Sequence, residues 1–588
     1  MTDATTAGHR PVPGESAGFR PADYLVVAVW FALMFGLAEG GVLLYRRFVL
    51  NAFIWSSRDV IWMAPLSYLI AYSPTVAVAF LARRRLPTVP LPWFVGMVAC
   101  VAVAMMLRLL TNHRLHWLSL VAVGAGVGVQ VARLVARRPA VVAKMRRALP
   151  ALFGLALAAA GVSRGWRWYA ERRALAALPA ATAGAQNILL LILDTVGARH
   201  LSLYGYGRPT TPNLERWAAR GVVFDRAIAP SGWTLQSHAS FFTGHYPFEL
   251  QVDFTTPLDN TYTTIAGVLR NRGYNTGGFV ANQAYASYES GLARGFIHYE
   301  GYRVTLKQIL LSSELGQFLG DWNSQLILRT RDAKPVTEVH REFLTWLGEV
   351  GTERPFFAFL NYMDAHIPYT APDSIRVRFG ADTTEGLVDS YAAAIAHLDH
   401  EIGALLDTLD ARGLLANTTV VVTSDHGEQF GEHGLWEHGN SLYYQLLHVP
   451  LLIIDPSAPG GRRIPEAVGL RELPATMIRY AGLNGQPPFP GRSLSRFWDA
   501  SEAGSATPEP YLLAEIARRP RSPRRFPNAE GPMIALFQGR YHYIRNVRGH
   551  EELFDYWADP AESNDLVGTP EGRALLPGFR NLAQEALP

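Results

Sequence analysis

Residues 187–194 read NILLLILD, an unbroken apolar run closed by one carboxylate. A run this short, without polar alternation, suits a strand buried on both faces of a parallel sheet, because crossover helices cover both sides of such sheets. TGGFVAN (276–282), PFFAFLN (355–361), TTVVVTSD (418–425) and VPLLIID (449–455) repeat the pattern downstream. TPNLERWAARG (211–221) carries helix signals: a threonine N-cap, Pro212 in the first turn and a closing glycine. Ile395, Leu398, Ile402, Leu405 and Leu409 recur at helical spacing. His397, Asp399 and His400 on that helix are read as solvated. Strands alternating with helices predict an α/β, doubly wound sheet.

The strand ends carry the chemistry. NILLLILD ends in Asp194, TTVVVTSD ends in Asp425 with His426 next, and PFFAFLN leads through MDAHIP to His366. Open parallel sheets form their sites at the carboxyl ends of strands. Each residue alone reads as a turn carboxylate or a surface histidine. Their convergence on one edge points to a site. The segment SDHGEQFGEHGLWEHGN (424–440) crowds Glu428, Glu432, His433 and His438 into a glycine-broken loop after Asp425 and His426. A metal needs deprotonated oxygen or nitrogen ligands from separate elements, and Asp194, Asp425 and His426 meet that need. In PSGWTLQSHASFFTGHYP (230–247), five hydroxyls compete as nucleophile or helix cap: Ser231, Thr234, Ser237, Ser240 and Thr243. That stretch alone does not choose among them.

The first part of the chain is of another kind. Apolar runs at roughly 23–45, 59–82, 91–110, 115–136 and 148–166 each approach the ~20 residues of a bilayer-crossing helix. They predict an all-α transmembrane domain of about five helices over 23–168, after a polar tail (1–22) and before a linker (169–186). The first run is too long for a signal-peptide core and reads as a retained span. Arg83, Arg84 and Arg85 and the cluster Arg133, Arg137, Arg138, Lys144, Arg146 and Arg147 fall on one side if all five runs span. The positive-inside rule then places the N-terminus in the cytoplasm and the remaining chain outside, as a multi-pass plasma-membrane protein facing the lipid bilayer.

Composition narrows the classes. With 588 residues the chain exceeds one ordinary domain, and 54 Lys and Arg against 50 Asp and Glu leave a net charge of only +4, which argues against nucleic acid as a partner. Cys100, in an apolar run, is the only cysteine, so there is no intrachain disulfide and no cysteine-based zinc site.

From 187 to about 570 the chain resembles the sulfatase family of the alkaline phosphatase superfamily. The likeness rests on NILLLILDTVGARHLSLYGYGRPTTPNLERWAARGVVFDRA, TGHYP, FLNYMDAHIPY, TTVVVTSDHGEQFGEHGLW and GHEELFDYWADPAESND, in the family's order. It implies an alkaline-phosphatase-like domain over 187–505 with a small antiparallel C-terminal subdomain over 506–588. It also implies that Asp194, Asp425 and His426 bind metal. Counting back from Thr243 by the family spacing makes Thr234 the nucleophile and a metal contact.

The departures shape the expected reaction. The family's Cys/Ser-x-Pro-x-Arg is replaced by Thr234-Leu235-Gln236-Ser237-His238, and a threonine cannot become formylglycine. The family's Asp-Asn pair is Asp425-His426; an imidazole ligand favours one zinc or manganese ion over calcium. These changes look like the membrane-bound branch of phosphoglycerol and phosphoethanolamine transferases. The expected activity is a hydrolase or transferase acting on phosphate esters through a covalent Thr234 intermediate, with a phospholipid or envelope glycan as substrate. His238, His366 and His438 are its candidates for holding oxyanions or protonating the leaving group, and Ser237 reads as a helix cap. The alternatives are a sulfuric ester hydrolase, a phosphodiesterase, or a pseudoenzyme that only binds anions.

Overall fold

The computed structural model describes residues 20–50, 57–82, 90–111, 113–322, 333–381, 386–482, 488–499, 510–519 and 522–586. The chain forms two compact units, one of residues 1–168 with 304–332 and one of residues 169–303 with 333–588.

The first unit contains helices α1 (Pro21–Phe48), α2 (Val60–Ala82), α3 (Leu91–Leu110), α4 (Trp117–Arg137) and most of α5 (Ala140–Ala176). Among the described residues, four segments are long and apolar enough to cross a membrane, Ala22–Phe48, Leu91–Leu110, Trp117–Arg137 and Ala140–Ala176, while the apolar stretch Val60–Pro74 of α2 is shorter. Small residues bring α3 and α4 together. A Cβ on Gly128 would lie 2.4 Å from the carbonyl oxygen of Gly96, so the two backbones touch where no side chain intervenes.

Residues 304–322 lie in the sequence between two segments of the second unit but group with the first. Two short helices, Leu306–Leu311 and Glu314–Trp322, pack with the apolar helices instead. Leu315 joins their hydrophobic core, and polar contacts fix the position. Ser67 Oγ donates to the Leu310 carbonyl at 2.8 Å, the Glu314 amide donates to Glu39 Oε1 at 2.6 Å, and Arg108 donates to Glu314 Oε2 at 3.1 Å. A buried carboxylate requires such partners.

The second unit is built on a nine-stranded mixed sheet. Its strands are β1 (Asn187–Leu193), β2 (Val222–Ile228), β3 (Asn275–Val280), β4 (His298–Glu300), β5 (Phe356–Tyr362) and β6 (Thr418–Thr423), then β9 (His448–Val449), β10 (Leu451–Ile454) and β11 (Arg462–Gly469). A two-stranded hairpin, β7 (Gln429–Phe430) and β8 (Trp436–Glu437), intervenes after β6. The order is β11-β2-β10-β6-β1-β5-β3-β4, with β9 beside β2. Strands β6, β1, β5, β3 and β4 run parallel, whereas β10 is antiparallel to β6 and β2. Strand β1 is buried on both faces, as its unbroken apolar run predicts. Ile188, Leu190 and Ile192 enter one core, and Leu189, Leu191 and Leu193 enter the other.

One strand is added and two expectations change. VVFDRAI forms β2 although Asp225 and Arg226 interrupt its apolar pattern; it pairs with both β10 and β11. Asp399 is not solvated. Its carboxylate accepts from the Asn213 and Leu214 amides at 2.9 and 2.8 Å, so it caps the helix Pro212–Ala218 in place of the Thr211 side chain. His397, on the same long helix Leu387–Ala411, is also buried, because that helix lies against the sheet. Toward the C-terminus, β12 (Leu512–Ile516), β13 (Met533–Gln538), β14 (Tyr541–Asn546) and β15 (Glu551–Asp555) make a four-stranded antiparallel sheet.

Candidate active site

Adjacent parallel strands β1, β5 and β6 end side by side, which brings Asp194 and Asp425–His426 together just beyond the sheet. One ligand atom from each of Asp194, Asp425 and His426 lies within 4.8 Å of the others, and all three residues are buried. The carboxylates are held so that one oxygen of each is engaged and the other is open. Asp194 Oδ2 accepts from Asn282 Nδ2 at 2.8 Å and from Asn361 Nδ2 at 3.3 Å, leaving Oδ1 buried without a partner among the described residues. Asp425 Oδ1 accepts from the amides of Thr195 and His426 at 3.1 and 3.0 Å, leaving Oδ2 likewise without a hydrogen bond. The Nδ1–H of His426 donates to the Gly427 carbonyl at 3.0 Å, so Nε2 carries the lone pair.

The electrostatics fit a cation. Burial pushes the Asp194 carboxyl up to about 6, with the Asp425 charge adding to the effect, and burial pushes Asp425 up to about 7. Burial pulls His426 down to about 4. A divalent ion would relieve the repulsion of two desolvated carboxylates beside a neutral imidazole, and the open oxygens with Nε2 could hold it. The backbone is also strained toward this end. Thr195 adopts φ +65°, unusual for a β-branched residue, and that conformation aims its amide at Asp425. Tyr391 steadies the turn by donating to the Thr195 carbonyl at 2.6 Å.

Thr234 stands at the start of helix α7 (Thr234–Thr243), with Trp233 as the N-cap residue. Its hydroxyl donates to His426 Nε2 at 3.2 Å. The helix N-terminus adds a positive field where an anion would meet the hydroxyl. Ser237 is not the cap that the sequence suggests. It lies one turn inside the helix and donates its hydroxyl to the Asp425 carbonyl at 2.7 Å, so it ties α7 to the metal loop. His238 is fully buried; its Nδ1–H donates to the Thr234 carbonyl at 2.8 Å, and its Nε2 has no partner among the described residues. Burial pulls it down to about 3, so it is a neutral group beside Asp425 rather than a fixed cation.

Two further histidines lie beside His426. The His438 ring lies 4.6 Å from that of His426 and 5.1 Å from that of His366. Glu428 orients His438, with Nδ1 donating to Oε1 at 2.8 Å. Gly439 makes this approach possible, since it has φ +72° and a Cβ there would meet the Trp233 ring at 2.5 Å. Glu432 and His433 turn elsewhere: Glu432 pairs with Arg199, and His433 stacks on Tyr443 with ring centroids 3.6 Å apart. All seven candidate residues therefore converge. The residues that sequence reasoning missed are Asn282 and Asn361. Both stand at or just beyond strand ends, the same signal that marked Asp194 and Asp425.

A buried acidic pair, an imidazole and a helix-borne hydroxyl at the carboxyl edge of an α/β sheet form the kind of site used for ester chemistry. The Sulfatase family model matches residues 186–483, just over half of the chain, and the protein belongs to the sulfatase family of the alkaline phosphatase superfamily. A choline-sulfatase of Rhizobium meliloti is 25% identical over 466 residues, covering 68% of this chain and 86% of that protein. An arylsulfatase of Clostridium perfringens is 23% identical over 460 residues, covering 67% and 93%. The crystal structure of a phosphonate monoester hydrolase of Agrobacterium radiobacter shares the fold, with TM-score 0.54 and 20% identity over 68% of this chain and 95% of that one. The chain is thus a sulfatase-like hydrolase by family and fold.

Proposed function

We propose that the protein is a membrane-anchored, metal-dependent hydrolase or transferase of phosphate esters that works through a covalent Thr234 intermediate. The observation that carries this reading is the threonine hydroxyl itself, on the first turn of α7 and 3.2 Å from Nε2 of His426 within the Asp194–Asp425–His426 cluster. Threonine cannot supply the formylglycine of the family's sulfatases, but as an alkoxide it can attack phosphorus. A divalent ion, zinc or manganese, held by Asp194, Asp425 and His426, supplies positive charge that lowers the hydroxyl's pKa.

In the first step the Thr234 hydroxyl loses its proton to water, Oγ1 forms a bond to phosphorus and the ester P–O bond breaks. The leaving oxygen takes a proton from His366, whose ring lies against that of His438. In the second step water or an acceptor alcohol attacks the phospho-threonine, its proton returns to that histidine, the Oγ1–P bond breaks and Thr234 regains its proton from water. Asn282 and Asn361 keep Asp194 oriented throughout, and Ser237 keeps the helix in register with Asp425.

The four long apolar helices support anchoring in a membrane, and the basic loops support an extracytoplasmic catalytic domain in a plasma membrane. Work at a bilayer surface favours a phospholipid or envelope glycan as substrate. A sulfuric ester hydrolase is the second reading, favoured by the choline-sulfatase and arylsulfatase relatives. Turnover of matched aryl phosphate diesters and aryl sulfates by the manganese- or zinc-loaded protein separates the two. The phosphate reading expects faster phosphodiester turnover, and exclusive sulfate turnover contradicts it.

A further inference from the structure

Among the described residues, the cluster of Asp194, Asp425, His426 and Thr234 contains no fixed cation. Asp194 and Asp425 contribute two negative charges, and the position where the family carries arginine holds the buried His238. Arg199, in the turn after β1, is paired with Glu432. Yet an anionic ester has to approach this edge, and the charge of one divalent ion is already offset by the two carboxylates. A guanidinium is charged at any working pH and matches two oxygens of a tetrahedral anion at once.

Arg519 is placed to meet that need. It follows strand β12 in the C-terminal sheet and is half-buried. Its guanidinium lies over the Trp233 ring, 5.4 Å from the centroid, and Trp233 immediately precedes Thr234. One nitrogen donates to the His438 carbonyl at 3.5 Å. Its contacts among the described residues are that carbonyl and the rings of Trp233 and Phe254. The base of its loop is tied to the site from both sides. The Glu515 amide donates to the Pro230 carbonyl at 2.9 Å, and Asn528 Nδ2 donates to the carbonyls of Gly439 and Ala517 at 3.0 and 3.2 Å. A solvated surface arginine would not need this support. Here the indole face and one carbonyl fix the guanidinium plane and leave most of its five N–H donors available.

We infer that Arg519 binds an anionic oxygen of the substrate at the rim of the site, taking over the role of the absent motif arginine from a different part of the chain. The inference rests on the proposed ester chemistry and names the residue that recognises the tetrahedral oxyanion, whether phosphate or sulfate.

The test uses the full-length, metal-loaded protein with Arg519→Gln, Arg519→Lys and, as a charge control, the exposed Arg573→Gln. The readouts are KM and kcat on an aryl phosphate diester, and the dissociation constants of inorganic phosphate and sulfate by calorimetry. Loss of a charge-assisted contact predicts weaker phosphate binding and a higher KM in Arg519→Gln, each by about tenfold or more, with a smaller change in kcat. Arg519→Lys falls between, Arg573→Gln matches the wild type, and sulfate weakens in parallel if either ester is the substrate. Phosphate binding and KM within about twofold of wild type in Arg519→Gln overturn the inference. Should Arg519→Gln fold poorly, Arg519→Lys, which keeps the charge and stem, decides by the same readouts. A wild-type protein with no ester turnover would contradict the proposed function alone, because oxyanion binding still reports on Arg519.

Discussion

The Thr234 hydroxyl donates to Nε2 of His426 at 3.2 Å, and the imidazole is fixed in that tautomer because its other nitrogen donates to the Gly427 carbonyl. The two residues come from distant parts of the chain and meet because α7 begins where β6 ends. The same lone pair that accepts from the hydroxyl is the one a metal would take. Nucleophile and metal cluster are therefore one unit, and substitutions in either are expected to abolish the same step.

Replacing Thr234 by alanine removes the attacking oxygen and leaves the fold, since Ser237 still ties α7 to the Asp425 carbonyl. Ester turnover falls by about 10⁴-fold or more in Thr234→Ala, whereas Thr234→Ser keeps a primary hydroxyl and retains measurable turnover. Steady-state rates with an unchanged melting temperature check this.

Asn282 acts on the metal through Asp194. Asn282→Ala frees Asp194 Oδ2 to rotate, and divalent-ion affinity weakens by about tenfold or more. Calorimetric titration with manganese or zinc reads the loss, and an unchanged affinity would show that Asn361 alone suffices.

The raised carboxyls give a pH dependence with a definite sign. Without metal, the folded protein holds protons on Asp194 and Asp425 more tightly than the unfolded chain does. That contribution to stability is present below the ordinary aspartate pKa and lost as pH rises through about 6 to 7. A divalent ion binds the deprotonated pair, so it restores stability over the same window. Melting temperatures with chelator and with excess manganese should diverge more at about pH 8 than at about pH 5. Equal shifts at both would contradict this ligand set.

Asp399 holds the helix Pro212–Ala218 through two backbone amides and the Asn213 side chain. Asp399→Ala strands those donors in a buried place and costs about 2–3 kcal/mol, seen as a lower denaturation midpoint, with kcat per folded molecule unchanged.

Much of this was readable from residue order alone. Buried strands announce themselves by unbroken apolar runs, and β1, β5 and β6 delivered Asp194, His366 and Asp425–His426 to one edge as strand-end logic requires. Strand β2 was hidden because Asp225 and Arg226 mimic a loop. Arg226 instead lies over the Trp557 ring, and Asp225 pairs with Arg463. Asp399 looked solvated because helical spacing marks a face, not what packs on it. The excursion at 304–322 was invisible for a related reason. Its apolar residues look like any amphipathic helix, and only the tertiary partners Glu39, Ser67 and Arg108 show where it belongs. Asn282 and Asn361 carry no charge, so only their position at strand ends marks them in the sequence.

The covalent role of Thr234 is tested most directly by mass spectrometry of the peptide that contains it. Metal-loaded protein is incubated with a phosphodiester donor and quenched in acid. A phosphoryl or phospho-headgroup adduct located on Thr234, absent in Thr234→Ala, is the predicted result. An unmodified Thr234 under conditions of active turnover, or turnover that survives Thr234→Ala, would contradict it.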